Sequence, residues 1–266
     1  MIIVFFKSPY SKTKSEFNRL MNEKVSETAP ENTVFTEEDI KTLPVPVQKY
    51  FRYCGYIGTP KMSYMKAVFK DVDFYIIRGD KKSRLNIDYT QYNYLKKPER
   101  YACIDSSMYG IPFEGFDSYQ NGVGSMKGVF AKLITLFDQR GESMDKASLV
   151  TFLSESLIVP NAALQDYITW DAIDETHAKA AITYYGISAS GIFTFDKNGA
   201  MISFRTKDRT STDMDGTTRE AEWSAICSDY QLLNGLRQPM ILQAVWHYPE
   251  GDFLYFDGKN VEIEFR

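Results

Sequence analysis

The chain has 266 residues, a formal net charge of −4 and 15% aromatic side chains, among them 18 Tyr and 18 Phe. A chain of that length buries a core without disulfides or metal. The three distant cysteines, Cys54, Cys103 and Cys227, form neither a disulfide framework nor a paired metal-ligand motif. Acids and bases alternate without a basic footprint, which argues against a nucleic-acid partner.

Met1 to Phe6 are apolar, and Lys7, Lys12 and Lys14 come after them. Six residues cannot span a bilayer, which takes about 20, and basic residues after the apolar run are the wrong order for a signal peptide. Two readings stand: the last turn of a membrane helix, with the lysines favouring a cytoplasmic side for the rest of the chain, or a short apolar end docked on the core. The expected localisation is accordingly at a membrane or in the cytoplasm.

Ser11 to Glu27 read as a helix with Phe17, Leu20, Met21 and Val25 on one stripe. A polar linker with Pro30 leads to Thr36, an N-cap followed by Glu37, Glu38 and Asp39, where a helix dipole favours acids. Leu43-Pro-Val-Pro46 breaks that helix and starts another, with Val47, Tyr50, Phe51 and Cys54 on one face and Gly55 as its C-terminal cap. Residues 1–35 are thus expected to form an apolar end, a helix and a linker, and residues 36–266 a single β-rich domain.

After Pro60 the period changes to two: Val72, Phe74 and Ile76, then Leu85, Ile87 and Tyr89, alternate with polar or half-exposed positions. Lys97-Pro98 and Asn121-Gly122 mark turns. Three- and four-residue spacing then predicts two mid-chain helices. One carries Met126, Val129, Phe130, Leu133, Ile134 and Phe137, and the other Leu149, Phe152, Leu153 and Leu157, ending before Pro160. From Tyr167 the chain is a meander, with turns at Asp196–Gly199, Asp213–Gly216, Pro249–Gly251 and Asp257–Gly258. The expected fold class is α+β: about ten strands in a curved antiparallel sheet, an incomplete barrel with meander connections, inserted amphipathic helices and a helical N-terminal arm. Such a sheet, incompletely wrapped around helices, leaves an apolar cavity.

Few residues point to chemistry. The two histidines, His177 and His247, lie in expected strands, and no Gly-x-Ser-x-Gly elbow surrounds a serine, which disfavours triad hydrolysis. No His, Cys and carboxylate spacing suits zinc, and no metal or cofactor is expected. Gly122-Val-Gly-Ser-Met-Lys-Gly128 has neither dinucleotide nor P-loop spacing and reads as a loop before a helix. Glu155, between Leu153 and Leu157, is the one candidate acid or base; a carboxylate facing a cavity suits that role, and one turned to solvent or paired with an arginine does not. Asp88, Asp117, Arg205 and Arg209 fit the polar face of a one-sided sheet. Trp170, Trp223, Trp246, Tyr119 and Phe152 are the candidate core or cavity-wall residues for an apolar ligand.

Leu43-Pro-Val-Pro-Val-Gln-Lys-Tyr-Phe-Arg-Tyr-Cys-Gly55 with Tyr56-Ile-Gly58 after it resembles the opening motif of an uncharacterised bacterial family of unknown function. The resemblance continues in order through Asp117-x-Tyr119-x-x-Gly122-x-Gly124-x-Met126, Leu153-Ser-Glu155, Pro160-x-Ala162-x-Leu164, Trp170 to Ile173, Phe193-x-Phe-Asp196-x-x-Gly199 and Ala244-x-Trp246, covering residues 36–266. It implies no activity. Members often carry membrane segments ahead of the domain, which agrees with a membrane remnant at Met1 to Phe6. The chain departs from the family's Arg-Tyr-Leu-x-Glu pattern, with Thr151-Phe152 in place of Arg-Tyr, so the arginine that pattern offers Glu155 is missing here. By architecture alone the expected fold is similar to the open barrels of bacterial lipoprotein carriers, which hold acyl chains.

Three functional readings result, in this order: binding of an apolar ligand or lipid in the concave face near a membrane; an enzyme using Glu155 with Asp117 or an arginine; and a protein-interaction scaffold.

Overall fold

The computed structural model describes residues 6, 8, 10–78, 81–213 and 216–266. Met1 to Phe5, and with them most of the apolar start, lie outside these residues, as do the two central positions of the Asp213–Gly216 turn.

Helix α1 (Lys12–Glu27) begins where Ser11 caps it, its hydroxyl accepting from the Lys14 N–H at 3.2 Å. Phe17 and Met21 are buried, whereas Val25 of the expected stripe is exposed. The short α2 (Glu37–Ile40) opens on a reciprocal capping box between Thr36 and Asp39. Helix α3 (Val45–Cys54) buries Val47, Tyr50, Phe51 and Cys54 completely and ends at Gly55, whose φ of 82° is the left-handed C-cap the sequence calls for.

The first meander contains β1 (Tyr64–Arg78), β2 (Lys81–Tyr94), β3 (Glu99–Met108), β4 (Ile111–Gln120), β5 (Val123–Phe130) and β6 (Ile134–Gln139). Helix α4 (Glu142–Glu155) and a 3-10 turn (Pro160–Leu164) come next. The second meander contains β7 (Ile168–Ala172), β8 (His177–Tyr184), β9 (Ile187–Phe195) and β10 (Met201–Thr206). After a separate hairpin of β11 (Thr210–Thr212) and β12 (Thr218–Glu220), it continues through β13 (Glu222–Leu233), β14 (Leu236–Tyr248) and β15 (Gly251–Lys259) to β16 (Glu262–Phe265). The strand order is β6-β5-β4-β3-β2-β1-β15-β14-β13-β10-β9-β8-β7, every pairing antiparallel, with β16 also on β1. The end strands β6 and β7 do not pair, so this is an open, incomplete barrel of α+β class. Sixteen strands are present among the described residues rather than about ten.

The helix expected over Met126 to Phe137 is instead β5, a turn and β6. Its three- and four-residue spacing runs across a bend in which Ala131 and Lys132 have φ of 53° and 62°. The residues it would have aligned are therefore split: Val129 is buried, while Leu133 and Ile134 are exposed. The Gly122–Gly128 stretch correspondingly belongs to the β4–β5 turn and to β5, and no helix comes directly after it. One inserted helix, not two, lies mid-chain. It is no amphipathic cover either, because α4 is buried around most of its circumference, including Ala147, Leu149, Val150, Phe152 and Leu153. The curved sheet wraps it.

Alternation sends the two faces of the first meander to different partners. On one face of β3, Tyr101 and Cys103 join Tyr64, Tyr94, Phe17 and Met21 in a cluster beneath α1. On the other, Ala102 and Ile104 join the main core with α3 and α4. The Tyr50 hydroxyl donates to the Leu157 carbonyl at 2.9 Å, and Asn161 bonds both backbone groups of Met62, which fastens the chain after α4 to α3 and to the lead-in of β1.

Candidate functional site

The inward face of β2, β3 and β4 carries polar side chains where the sheet meets the end of α4. Arg100 on β3 uses all three guanidinium nitrogens. Nε donates to Glu155 at 3.1 Å, Nη1 to Asp117 at 2.5 Å, and Nη2 to the Tyr89 hydroxyl at 2.5 Å and to Gln91 Oε1 at 3.0 Å. Asn93 donates to the same Glu155 oxygen at 2.8 Å and accepts from Gln91 at 2.7 Å. Burial alone would lower the Arg100 pKa, but Glu155, Tyr89 and Asp117 hold it well above its ordinary value; burial in turn raises the Tyr89 hydroxyl. A buried ion that keeps its charge needs such complete pairing.

This network walls one lobe of a cavity of about 170 Å³. Met65, Ala67, Phe69, Leu242, Ala244 and Phe256 supply its apolar surface, and Thr151, Ser154, Glu155 and Ile158 come from α4 and the turn after it. A second lobe of about 150 Å³, lined by Phe113, Phe137, Trp246 and Phe253 among others, shares Phe74, Ile104, Asp117, Met126, Arg209 and Tyr255 with the first. A single engineered cavity of roughly 150 Å³ admits benzene. The two lobes adjoin along these shared walls, so each can take a small apolar group of that size.

Of the residues singled out from sequence, Glu155, Trp223 and Trp246 lie at this cavity, Trp223 in the first lobe and Trp246 in the second. Trp170 lies away from both, against Phe193 and donating to the Ala163 carbonyl at 3.0 Å. Tyr119 and Phe152 are fully buried in the main core, Phe152 against Tyr167. Asp88 and Arg205 sit on the polar face as expected, paired with Lys70 and Glu222. Asp117 and Arg209 do not: both face the cavity. Arg100, the hub of the network, was missed. Its signal is parity, since it falls in step with inward-facing Ala102 and Ile104.

Outside the cavity, Asp252, His247 and Ser224 form a chain with contacts of 2.7 Å at each step. It resembles a hydrolytic relay, but Ser224 is buried in β13, a strand paired on both sides by β10 and β14. The ladders take up the backbone N–H groups around it, so no oxyanion hole is formed. The three cysteines are buried, with burial pushing each thiol up to about 12. Among the described residues no group of three His, Cys, Asp or Glu side chains is placed to hold a metal.

The architecture is that of an open antiparallel barrel folded around a helix, with an aromatic-lined cavity between them. The chain belongs to the family of unknown function DUF6544, whose profile matches residues 33–258. No curated protein matches the sequence. Similar solved structures include a domain provisionally assigned as an outer membrane lipoprotein-sorting protein from Vibrio parahaemolyticus (9% identity, 76% of this chain and 84% of that one, TM-score 0.41). A DUF1329 family protein from Desulfovibrio piger (14%, 83% and 93%, 0.36) and a LolA superfamily protein from Nitrosomonas europaea (10%, 83% and 93%, 0.38) are also similar.

Proposed function

We propose that this protein binds an apolar ligand or lipid in the cavity between the concave face of the sheet and α4, and that it does so near a membrane. The observation that carries the reading is the two-lobed cavity itself, mostly apolar and aromatic with a few fixed polar groups, the usual make-up of a small-molecule site. The apolar first residues and the lysines after them support action near a membrane surface; among the described residues no helix is long and apolar enough to cross one. Native mass spectrometry of protein purified from cells, followed by solvent extraction, tests the reading. A bound apolar molecule is expected at near-unit occupancy. Protein that carries none, and takes up none from a panel of lipids and fatty alcohols, would overturn it.

A second reading, acid–base chemistry by Glu155 with Asp117, is favoured by one observation: both carboxylates meet at Arg100 in the cavity wall. It ranks below binding because the guanidinium occupies an oxygen of each. Turnover of a substrate that is lost in Glu155→Gln, with folding intact, would raise it above the first.

A further inference from the structure

Arg209 lies between β10 and β11, in a segment fixed by its neighbour. Asp208 accepts from the Ser190 N–H at 2.8 Å and from Lys146 of α4 at 2.7 Å, and its own N–H donates to Thr206 Oγ1 at 2.9 Å. With Asp208 bound to β9 and α4, Arg209 is turned into the cavity and lines both lobes. Its guanidinium carbon lies 4.5 Å from the centre of the Trp223 ring and 5.8 Å from that of Trp246, so two aromatic rings hold it in place. Nη1 donates to Thr151 of α4.

The other edge is open. The Arg209 Nε–H is buried and bonds no acceptor among the described residues. No carboxylate among the described residues lies within ion-pair distance of this arginine, although Arg100 in the same cavity has two. In Arg52 the corresponding edge shows what it is built to hold: Nε and Nη2 together grip the Glu37 carboxylate, at 3.1 and 2.6 Å. A planar two-donor fork matches a carboxylate. A buried donor left without a partner is costly, so a ligand that satisfies it gains correspondingly.

We infer that Arg209 is the head-group site of the cavity, and that the ligand is an apolar-tailed carboxylic acid whose carboxylate lies on the Nε edge of Arg209 with its tail along the lobe walls. This rests on the proposed binding of an apolar ligand and specifies its class. A carboxylate is favoured over a phosphate because the described residues lining the lobes offer Arg209's open edge and no lysine, while Asp117, Glu155 and Asp213 oppose a second negative charge.

The test is titration calorimetry at neutral pH with decanoate, decanol and decyl phosphate, on the wild type and on Arg209→Gln. Wild type is expected to bind decanoate about tenfold or more tightly than decanol, the range of one charge-assisted contact, and more tightly than decyl phosphate. Arg209→Gln removes that preference, so that decanoate and decanol bind the variant within about twofold of each other. The comparison of ligands on the wild type stands even if the variant folds poorly. Decanol binding as tightly as decanoate overturns the head-group assignment and leaves apolar binding standing. Preference for decyl phosphate overturns the carboxylate. Failure of all three to bind overturns both readings together.

Discussion

Arg100 and Arg209 face one cavity, and their partners give them different work. Arg100 has every nitrogen engaged and ties β2, β3, β4 and α4 together. Removing it strands two carboxylates, so Arg100→Met is expected to destabilise the fold by about 3–5 kcal/mol. Adding Glu155→Gln removes one of the stranded charges. The double variant should therefore lose less than the sum of the single losses, a coupling that urea denaturation resolves; strict additivity would show that the network is not a unit. Asp208 makes a different kind of contribution. Burial opposes its charged form, but Lys146 and the Ser190 N–H outweigh burial and lower its pKa below the ordinary 3.8. A carboxylate with a depressed folded-state pKa stabilises the fold above its unfolded pKa, and that stability is lost as pH falls through the folded value. The stability gap between wild type and Asp208→Asn should accordingly be full at pH 7 and narrower at about pH 3, below the unfolded value of about 3.9. A gap independent of pH would mean that the carboxylate charge is not what holds the Arg209 segment.

Helix α4 reaches the sheet because β5 gives it room. A Cβ built on Gly124 would lie 2.5 Å from the Met144 carbonyl oxygen and 2.6 Å from Ser148 Oγ, and the Gly124 N–H already donates to Asp145 at 2.6 Å. Gly124→Ala should push the helix off the strand and cost about 1–3 kcal/mol, the usual range for overpacking; thermal unfolding checks it, and an unchanged midpoint would mean that α4 sits more loosely than this contact requires. The same pair of elements shows how far the sequence could be read. The apolar spacing from Leu149 through Leu153 of α4 to Leu157 just after it, and the stop before Pro160, were legible. So were α1, the Thr36 cap, the Gly55 cap and the meander after Tyr167, where the local signal and the tertiary environment agree. Strands β5 and β6 were not, because the spacing of Met126 to Phe137 imitates a helix, while Gly124 and Gly128, which let the helix and the Phe137 ring approach the strand, leave no apolar trace at their positions. At the site, Glu155 stood out as an acid among leucines. Arg100, Asp117 and Arg209 looked like ordinary polar positions, since charge alone does not tell whether a residue faces solvent or the inside of a sheet that wraps a helix.

At the scale of the whole molecule, the two meanders meet along a narrow seam. Strand β1 pairs with β15 at Asp73–Asp257 and Phe74–Phe256, and with β16 from Met65 to Val68. Aromatic contacts reinforce it: Phe69, Phe74 and Tyr89 all pack on the Phe256 ring. The cavity straddles this seam, taking walls from β1 to β5 on one side and from β13 to β15 on the other, with α4 across them. A molecule bound there contacts both halves at once, so its binding energy acts against their separation. Binding only the folded state adds about 2.7 kcal/mol at a ligand concentration 100 times the Kd. Saturation with decanoate should therefore slow amide exchange in α4 and along β1 and β15, the elements whose separation opens the cavity. Strands β7 and β8 and helix α1, which do not line it, should change less. Hydrogen exchange with mass detection separates these regions. Protection confined to α1 and the outer face would mean that the ligand binds on the surface, and uniform protection would mean that the two halves open only with global unfolding.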